Sequence, residues 1–416
     1  MRGAFSRVKT QDLSADTVCQ SLATKYDRKV LPAERRHLFD KFYSPSPQPN
    51  EFLCKPTVMI IGADGSVRNN FLNFIMQTDY RVYVQSDDQI NVLIYGDTPQ
   101  TFSGSGMPHD KAFAFHYLRQ FDCGLPTHLR CVQLPSTLLR AVSLIDCAWW
   151  PSSTHGDFAQ FIALTAERVD LIFFLFDGLR ASEFDDTTRQ VIEILQESIT
   201  KVRFVITIQE ISIEVIFREH SLFCWKMAKL LNTVQDLPKI LIGSFSNEPI
   251  SCSLNRIVAK DYKILLRDFR SLVKMSRVRK VRLTAKRAKQ VRIHALLMTE
   301  LLRENVLLST TGFMLSAATE PARLQQLYLK VEKMYHVNKQ DLPKMDQFRY
   351  RALNTDPNKW IKADPRQIQA IEQFVNIDIP QLMQTLSTNS IVNTEIDVPA
   401  LRQAIDRLKD SRERSD

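Results

Sequence analysis

Residues 57–76, TVMIIGADGSVRNNFLNFIM, place a short apolar run, a glycine-containing turn and a helical segment directly after one another. The apolar run is continuous rather than alternating, which is typical of a strand covered on both faces. A strand that leads through a tight turn into a helix is the repeating unit of an α/β domain. The same pattern recurs along the following part of the chain.

From this stretch onward, short apolar runs alternate with helical segments over about 200 residues, as in α/β domains. This alternation predicts an α/β fold with a mainly parallel sheet and helices on both faces. The predicted strands are 57–61, 89–95, 141–145, 171–176, 202–208 and 239–242, and the predicted intervening helices include 157–167, 187–197 and 217–231.

Helical periodicity replaces this alternation from about residue 257. Apolar residues step by three and four, which predicts long helices, and residues 305–318 are apolar but turn-like. Another helical stretch, 16–43, precedes the proline-rich connector 44–52. The predicted parts are an N-terminal tail (1–17), a helical segment with its connector (18–54), the α/β domain (55–282), a helical domain (283–395) and a charged tail (396–416).

Composition limits the classes of protein that fit. The chain has 416 residues, 11 glycines and 7 scattered cysteines. Cysteines without close clustering indicate neither a disulfide framework nor a zinc site, so no metal site is predicted. The N-terminus lacks the apolar core of a signal peptide, and no apolar run approaches the length of a membrane span, so a cytoplasmic protein is expected.

The net charge of +9 is concentrated in residues 256–292, where 14 basic residues accompany only Asp261 and Asp268. Such a concentration indicates an anionic partner, either nucleic acid or a lipid surface. A solvated helix face is the alternative, and the sequence leaves the two open.

The turn after the first strand lies where a phosphate-binding loop, GxxxxGK[ST], would lie. Gly62 is present, but Val67 holds the second glycine position, Arg68 the lysine position and Asn69 the hydroxyl position. A β-branched valine resists the backbone conformation that lets phosphate approach closely. Asp64 adds a like charge to the loop. We therefore expect little or no phosphate binding here.

The ends of two further predicted strands also lack residues that contact nucleotide in phosphate-loop proteins. Asp146 is present where a metal-linked aspartate would lie, but Trp149 replaces the glycine that senses the terminal phosphate. Residues 206–210, ITIQE, replace a base-reading NKxD sequence. Gly62, Arg68, Asn69 and Asp146 are therefore predicted to form a vestigial nucleotide site.

At these residues the chain resembles the EH-domain-containing (EHD) family of dynamin-related ATPases, as a degenerate member. The resemblance runs from about residue 18 to residue 390. The segments that carry it are KVLPAERRHLFDKFYSP (29–45), VQLPSTLLRAVSLID (132–146), FIALTAERVDLIFFLFD (161–177), KLLNTVQDLPKILIGSF (229–245) and AKRAKQVRIHALLMTELLRE (285–304).

The resemblance implies a dynamin-like phosphate-loop G domain and a helical domain built from segments on both sides of it. It implies dimerisation through Trp225, for which a place in the chain's own core is the alternative. It also implies membrane contact at the tip of the helical domain, where Leu307, Leu308, Phe313 and Met314 supply apolar bulk but no lysine remains. A packed loop is the alternative there.

Two departures from the family are expected to matter. Ser86 and Asp87, ahead of Asp88, replace the threonines of the first switch. The carboxy-terminal EH domain is expected to be absent, and with it recruitment by partners that carry NPF motifs.

These observations favour a catalytically inactive membrane-associated scaffold in endocytic or recycling traffic, peripheral on endosomal or plasma membrane. It is expected to form a homodimer or a hetero-oligomer with an active relative, to require no cofactor, and to bind any ATP or GTP with Mg²⁺ weakly. The first alternative is an atypical dynamin-like NTPase in which Arg68, Asp88 and Asp146 still position Mg-nucleotide. A basic nucleic-acid-binding protein ranks last.

Overall fold

The computed structural model describes residues 17–83, 89–109, 113–121, 128–148, 155–208, 212–232, 237–246, 254–310, 320–388 and 395–413. These residues form two compact units. The first, called the sheet unit, comprises the described residues within 55–276 and 395–413. The second, called the helical unit, comprises 17–54 and 277–388.

An eight-stranded sheet forms the centre of the sheet unit. The strand order is β3-β4-β2-β5-β1-β6-β7-β8, and all pairs are parallel except β2 with β5 and β3 with β4. The predicted mainly parallel α/β fold is confirmed. The strands are β1 Thr57–Ile61, β2 Ile90–Tyr95, β3 Gln100–Ser103, β4 Leu129–Leu134, β5 Ser143–Cys147, β6 Leu171–Asp177, β7 Val202–Thr207 and β8 Ile240–Gly243.

The helices lie before, between and after these strands. In chain order they are α1 Thr17–Lys29, α2 Leu31–Arg36, α3 Phe39–Phe42, α4 Pro49–Leu53, α5 Gly65–Met76, α6 Thr137–Ala141, α7 His155–Arg168, α8 Asp186–Leu195, α9 Ile213–Leu230, α10 Asn255–Thr310, α11 Pro321–Tyr335, α12 Met345–Leu353, α13 Pro365–Gln373, α14 Ile379–Thr388 and α15 Pro399–Glu413. A π-helical turn, Phe374–Asp378, joins α13 to α14.

Alternate residues of the central strands enter two different cores, one on each face of the sheet. Val58 and Ile60 of β1 pack in the core that holds α5, α6, the first part of α10, and α15. Met59 and Ile61 pack in the core that holds α7 and α8 and most of the buried face of α9. Because side chains alternate along a strand, a strand apolar at every position must be covered on both faces, as the sequence predicted.

Strands β3 and β4 were not predicted. Residues of β3 are exposed or half-buried and show no apolar run, since this strand forms the edge of the sheet. In β4 the half-buried Arg130 and Gln133 interrupt the apolar sequence. β3 is stabilised by pairing with β4, and β4 by pairing with β2, which are long-range contacts that local sequence does not reveal.

The described part of the predicted charged tail, residues 396–413, packs in the sheet unit. It contains α15, and Ile396, Val398, Leu401 and Ile405 are buried in the same core as α5. The described charged side chains of this helix are exposed on its opposite side, so the helix is amphipathic and packs against the sheet unit's core; they are Arg402, Asp406, Arg407 and Lys409.

The helix α10 is continuous over 56 residues, where the sequence analysis predicted separate helices followed by a turn-like segment from residue 305. It contains no glycine or proline, the residues that most readily interrupt a helix. The backbone remains helical through Thr310, so the expected turn is wrong for residues 305–310. The first part of α10 belongs to the sheet unit and the rest to the helical unit.

In the helical unit, the N-terminal segment is bonded to α10 through a buried ion pair. The Nε of Arg287 donates to Oε1 of Glu34 at 2.7 Å, and its Nη1 donates to the hydroxyl of Ser44 at 2.8 Å. The hydroxyl of Tyr26 also donates to Glu34. These bonds join the chain before the sheet unit to the chain after it, as the expected two-segment helical domain requires.

No helix within the described ranges is both long enough and apolar enough to cross a lipid bilayer.

Candidate functional site

The candidate site is the turn between β1 and α5, at the carboxyl end of the sheet's central strand. Ligands of parallel α/β sheets bind at such strand ends. In the register of β1 and β5, Ile60 pairs with Asp146 and Ile61 with Cys147. The sheet therefore brings Asp146 beside the loop that begins at Gly62.

Asp64 occupies the amino terminus of α5. Its Oδ1 accepts hydrogen bonds from the N–H groups of Ser66 at 2.7 Å and Val67 at 3.3 Å, and from the Ser66 hydroxyl at 2.7 Å. Partial burial opposes ionisation of Asp64, but these hydrogen bonds outweigh it and lower the pKa of the carboxyl. A protein carboxylate thus takes the helix end at which a bound phosphate would otherwise lie.

Arg68 points into the protein instead of outward to a ligand. Only 2% of its surface is exposed. Its Nε donates to Oδ1 of Asp146 at 2.9 Å, and its Nη1 donates to the carbonyl oxygen of Gly62 at 2.6 Å. The cation at the lysine position is therefore neutralised by the aspartate that would otherwise serve the metal.

The second carboxylate oxygen of Asp146 is also occupied. The hydroxyl of Tyr80 donates to Oδ2 at 3.0 Å, and Tyr80 is fully buried. Burial, together with the Asp146 carboxylate, raises the pKa of Tyr80 well above its usual value, so the phenol remains a donor. Tyr80 was not among the residues predicted from the sequence. It follows the left-handed residue Gln77, and its backbone N–H donates to the side-chain oxygen Oδ1 of Asn73 at 2.7 Å.

Close packing fills the space above Gly62. A Cβ built on Gly62 would lie 3.0 Å from the carbonyl oxygen of Leu175 and 3.3 Å from Cγ of Arg68. Glycine at this position therefore permits contact with β6 and with the Arg68 side chain. Val67 is buried in the core beneath α5, and Asn69 is buried on the same helical turn.

The structure brings together Gly62, Arg68 and Asp146, with Asn69 on the adjacent helix turn. Both oxygens of Asp146 and two of the three guanidinium nitrogens of Arg68 bond to protein. Within the described ranges, no group of three or more His, Cys, Asp or Glu side chains is placed to hold a metal ion. The arrangement is a closed charge pair suited to stabilising the loop.

Trp225 lies on the outer face of α9, and 62% of its surface is exposed. The alternative of a core tryptophan is therefore excluded for the single chain. Phe217 and Leu222 are exposed on the same face, while Ile216, Phe223 and Met227 are buried on the other.

Several predicted residues cannot be placed. The backbone of Leu307 and Leu308 is helical as part of α10. Phe313 and Met314 lie outside the described residues, as do Trp149, Gln209 and Glu210, and Ser86, Asp87 and Asp88.

Comparison with known proteins gives three findings. Residues 275–383 match a family model described as a domain of unknown function (DUF5600). Human EH domain-containing protein 2 is 27% identical over 394 residues, covering 92% of this chain and 72% of that protein. Rat EH domain-containing protein 1 is 25% identical over 390 residues, covering 91% of this chain and 72% of that protein.

Among solved structures, the chain is similar to a bacterial dynamin from an oligomerised pair described as providing a mechanism for long-range sensing and tethering of membranes. The TM-score is 0.37 at 13% identity, and the match covers 91% of this chain and 67% of the other.

Proposed function

We propose that this chain, an EHD-like relative of the dynamin superfamily, is a membrane-associated scaffold whose nucleotide site is closed by its own side chains. The family that it resembles consists of dynamin-related ATPases, from which this chain would differ at its nucleotide site. The observation that supports this most directly is the buried Arg68, which bonds to both Gly62 and Asp146.

Nucleotide binding would require this arrangement to open. A triphosphate in the loop would need the N–H groups that now bond to Asp64, and Mg²⁺ would need an oxygen of Asp146. Opening the site would first break the buried pair of Arg68 and Asp146, and loss of one partner costs about 3–5 kcal/mol in a typical buried pair. Any part of this cost that contacts with Mg-nucleotide do not offset weakens binding, by about tenfold for each 1.4 kcal/mol.

The dimer is proposed to form through the outer face of α9. Trp225 is the largest exposed apolar side chain on that face, and Phe217 and Leu222 extend the patch. Exposed tryptophans of this kind are frequent centres of protein–protein interfaces. A homodimer or a hetero-oligomer with an active EHD relative would use the same surface.

Membrane contact is proposed at the far end of α10 and the segment after it. Leu307, Leu308, Phe313 and Met314 give this segment the apolar bulk that enters a headgroup region. We place the protein on the cytoplasmic side of endosomal or plasma membranes, in endocytic or recycling traffic. The variant Leu307→Glu/Leu308→Glu is expected to sediment less with vesicles than the unaltered chain.

The deciding experiment is a titration of the purified chain with fluorescent Mg-ATP and Mg-GTP, with and without vesicles, beside an active EHD relative. We expect no saturable binding at concentrations that saturate the relative, no turnover, and vesicle binding that does not depend on nucleotide. Micromolar binding with vesicle-stimulated turnover would establish the NTPase alternative instead.

A further inference from the structure

The first half of α10 carries a stripe of basic side chains on one side. Arg256, Lys260, Lys263, Arg267 and Lys274 are all exposed and are separated by steps of four, three, four and seven residues. At the angular step of an α-helix these positions lie within about 60° of one another, over a length of about 27 Å. We call these five residues the basic stripe.

Within the described part of α10, the acidic residues form no salt bridge with the basic stripe. Asp261 is buried and accepts a hydrogen bond from the N–H of Ile242 at 2.9 Å, and it interacts with Lys239 and Lys260 electrostatically at longer range. Asp268 is bonded to Nε of Arg203 at 2.6 Å. Across the ranges described for this chain, no carboxylate forms a salt bridge with any member of the basic stripe.

The amino-terminal end of α10 further destabilises this cluster of positive charges. The first turn of α10 contains no acidic residue, and Arg256 and Lys260 lie in its first two turns. The amino terminus of a helix carries partial positive charge, which disfavours nearby cations. Like charges three and four residues apart also repel. An anion bound here would relieve both effects.

A cavity of about 380 Å³ lies at this end of the basic stripe. Lys239, directly before β8, joins Arg256 and Lys260 around it. Ile257 contributes apolar surface, as does Phe217, which is also part of the proposed dimer face. Its remaining lining residues are His220, Ile240, Ile242 and Asp261. Three cations and the buried carboxylate of Asp261 surround a mainly apolar depression. This lining suits a compact polyanion with a carbon framework, because lysine and arginine bind phosphate oxygens strongly.

We propose that this cavity and the basic stripe form a second anion site, which binds a polyol bearing two or more phosphates. Lys239, Arg256 and Lys260 hold its phosphates, and Lys263, Arg267 and Lys274 lie along a surrounding anionic surface. The ligand is either a soluble inositol polyphosphate or a phosphoinositide headgroup in a membrane. The site uses neither the closed nucleotide loop nor the apolar segment around Leu307.

Calorimetry measures the binding of inositol hexakisphosphate. Sedimentation measures the binding of the chain to vesicles. One set of vesicles contains phosphatidylinositol bisphosphate, and the other matches its net charge with phosphatidylserine. The test variant is Arg256→Glu/Lys260→Glu. The control is Arg282→Glu/Lys286→Glu, which makes the same charge change at the same spacing on exposed positions of the same helix. Thermal melting checks that both variants fold.

We expect the test variant to bind the phosphorylated ligand at least about tenfold more weakly, and the control within about twofold of the unaltered chain. Tight binding of inositol hexakisphosphate would identify a soluble ligand. Binding only to vesicles that contain phosphatidylinositol bisphosphate would identify a lipid ligand. Equal losses in both variants, no loss in the test variant, or preferential binding of nucleic acid would overturn the proposal.

These results separate this site from the proposed scaffold role. If Leu307→Glu/Leu308→Glu abolishes sedimentation while Arg256→Glu/Lys260→Glu has no effect, the membrane role stands and the second anion site fails. If the unaltered chain binds inositol hexakisphosphate through Arg256 and Lys260 but no vesicles, the second site stands and the membrane role fails.

Discussion

The guanidinium of Arg68 lies 2.9 Å from the carboxylate of Asp146, and both side chains are buried at the carboxyl end of the central strand. In an active site of this type, the corresponding positions would serve a phosphate and a metal ion. Here each group satisfies the other. The pair therefore stabilises the loop with the two charged groups that a phosphate and a metal ion would otherwise engage.

Removing one member of this pair is expected to destabilise the chain strongly. Arg68→Met leaves the buried Asp146 carboxylate without its cation, which costs about 3–5 kcal/mol in comparable buried pairs. The double variant Arg68→Met/Asp146→Asn should recover most of this loss, because the remaining amide oxygen still accepts from Tyr80. Urea denaturation followed by circular dichroism measures both changes.

The exposed pair Arg189–Asp186 on α8 provides a control for that experiment. Arg189→Met should change the free energy of unfolding by less than about 1 kcal/mol, since exposed pairs contribute little. Equal effects of Arg68→Met and Arg189→Met would show that burial of the Arg68–Asp146 pair has no energetic consequence.

Replacing Asp64 should reveal the anion site that its carboxylate occupies. Asp64→Ala removes the cap of α5 and is expected to cost about 1 kcal/mol. It also frees the N–H groups of Ser66 and Val67, so added pyrophosphate should raise the melting temperature of this variant but not of the unaltered chain. Asp64→Asn, which can still cap the helix, should behave like the unaltered chain. A melting temperature of Asp64→Ala that does not respond to pyrophosphate, against chloride of equal ionic strength, would contradict the assignment.

The sequence predicted the elements of the site better than their contacts. The strand 57–61 was predicted at its observed bounds because both its composition and its following turn are local features. Arg68 and Asp146 are 78 residues apart, and their contact depends on the pairing of β1 with β5. The sequence did place both residues at strand ends, but it assigned them to a ligand. The sequence separation of Tyr80 from Arg68 and from Asp146 matches no known motif. Its hydrogen bond to Asp146 is therefore evident only in the folded chain.

Two other features were predicted poorly from the sequence: the strands β3 and β4, and the carboxyl end of α10. The bonds that stabilise β3 and β4 are formed with strands distant in the sequence, whereas the apolar runs of the central strands are visible in any short window. The length of α10 was underestimated because apolar residues near 305–310 suggested a turn, although nothing in that stretch interrupts a helix.

Trp225→Ala is expected to shift the chain from dimer to monomer while leaving its fold intact. The side chain is mostly exposed, so its loss removes little core packing. Truncation of a central interface tryptophan typically weakens association by at least about tenfold. Light scattering after size-exclusion chromatography measures the mass. Tyr350→Ala, at an exposed aromatic residue of the helical unit, is the matched control and should not change it. A monomeric unaltered chain, or equal effects of the two variants, would contradict the proposed interface.

Two buried histidines should make the helical unit sensitive to mild acid. Burial, with the neighbouring Arg36, lowers the pKa of His37 to about 4, and burial lowers that of His294 to about 3. The unfolded chain binds protons at these residues near pH 6.5 and the folded chain does not, so stability falls as the pH drops below that value. Between about pH 7 and about pH 5 each histidine is expected to remove about 2 kcal/mol from the free energy of unfolding.

His294→Gln tests this origin of the acid sensitivity. The Nε2 of His294 lies 2.9 Å from the carbonyl oxygen of His37, and a glutamine amide can donate a similar bond without titrating. The slope of unfolding free energy against pH, from urea denaturation at several pH values, should fall below that of the unaltered chain. Part of the slope should remain, because burial also lowers the pKa of His116 and of His220. Because most carboxylates titrate below this range, a slope that His294→Gln does not reduce would mean that the buried histidines do not control acid unfolding.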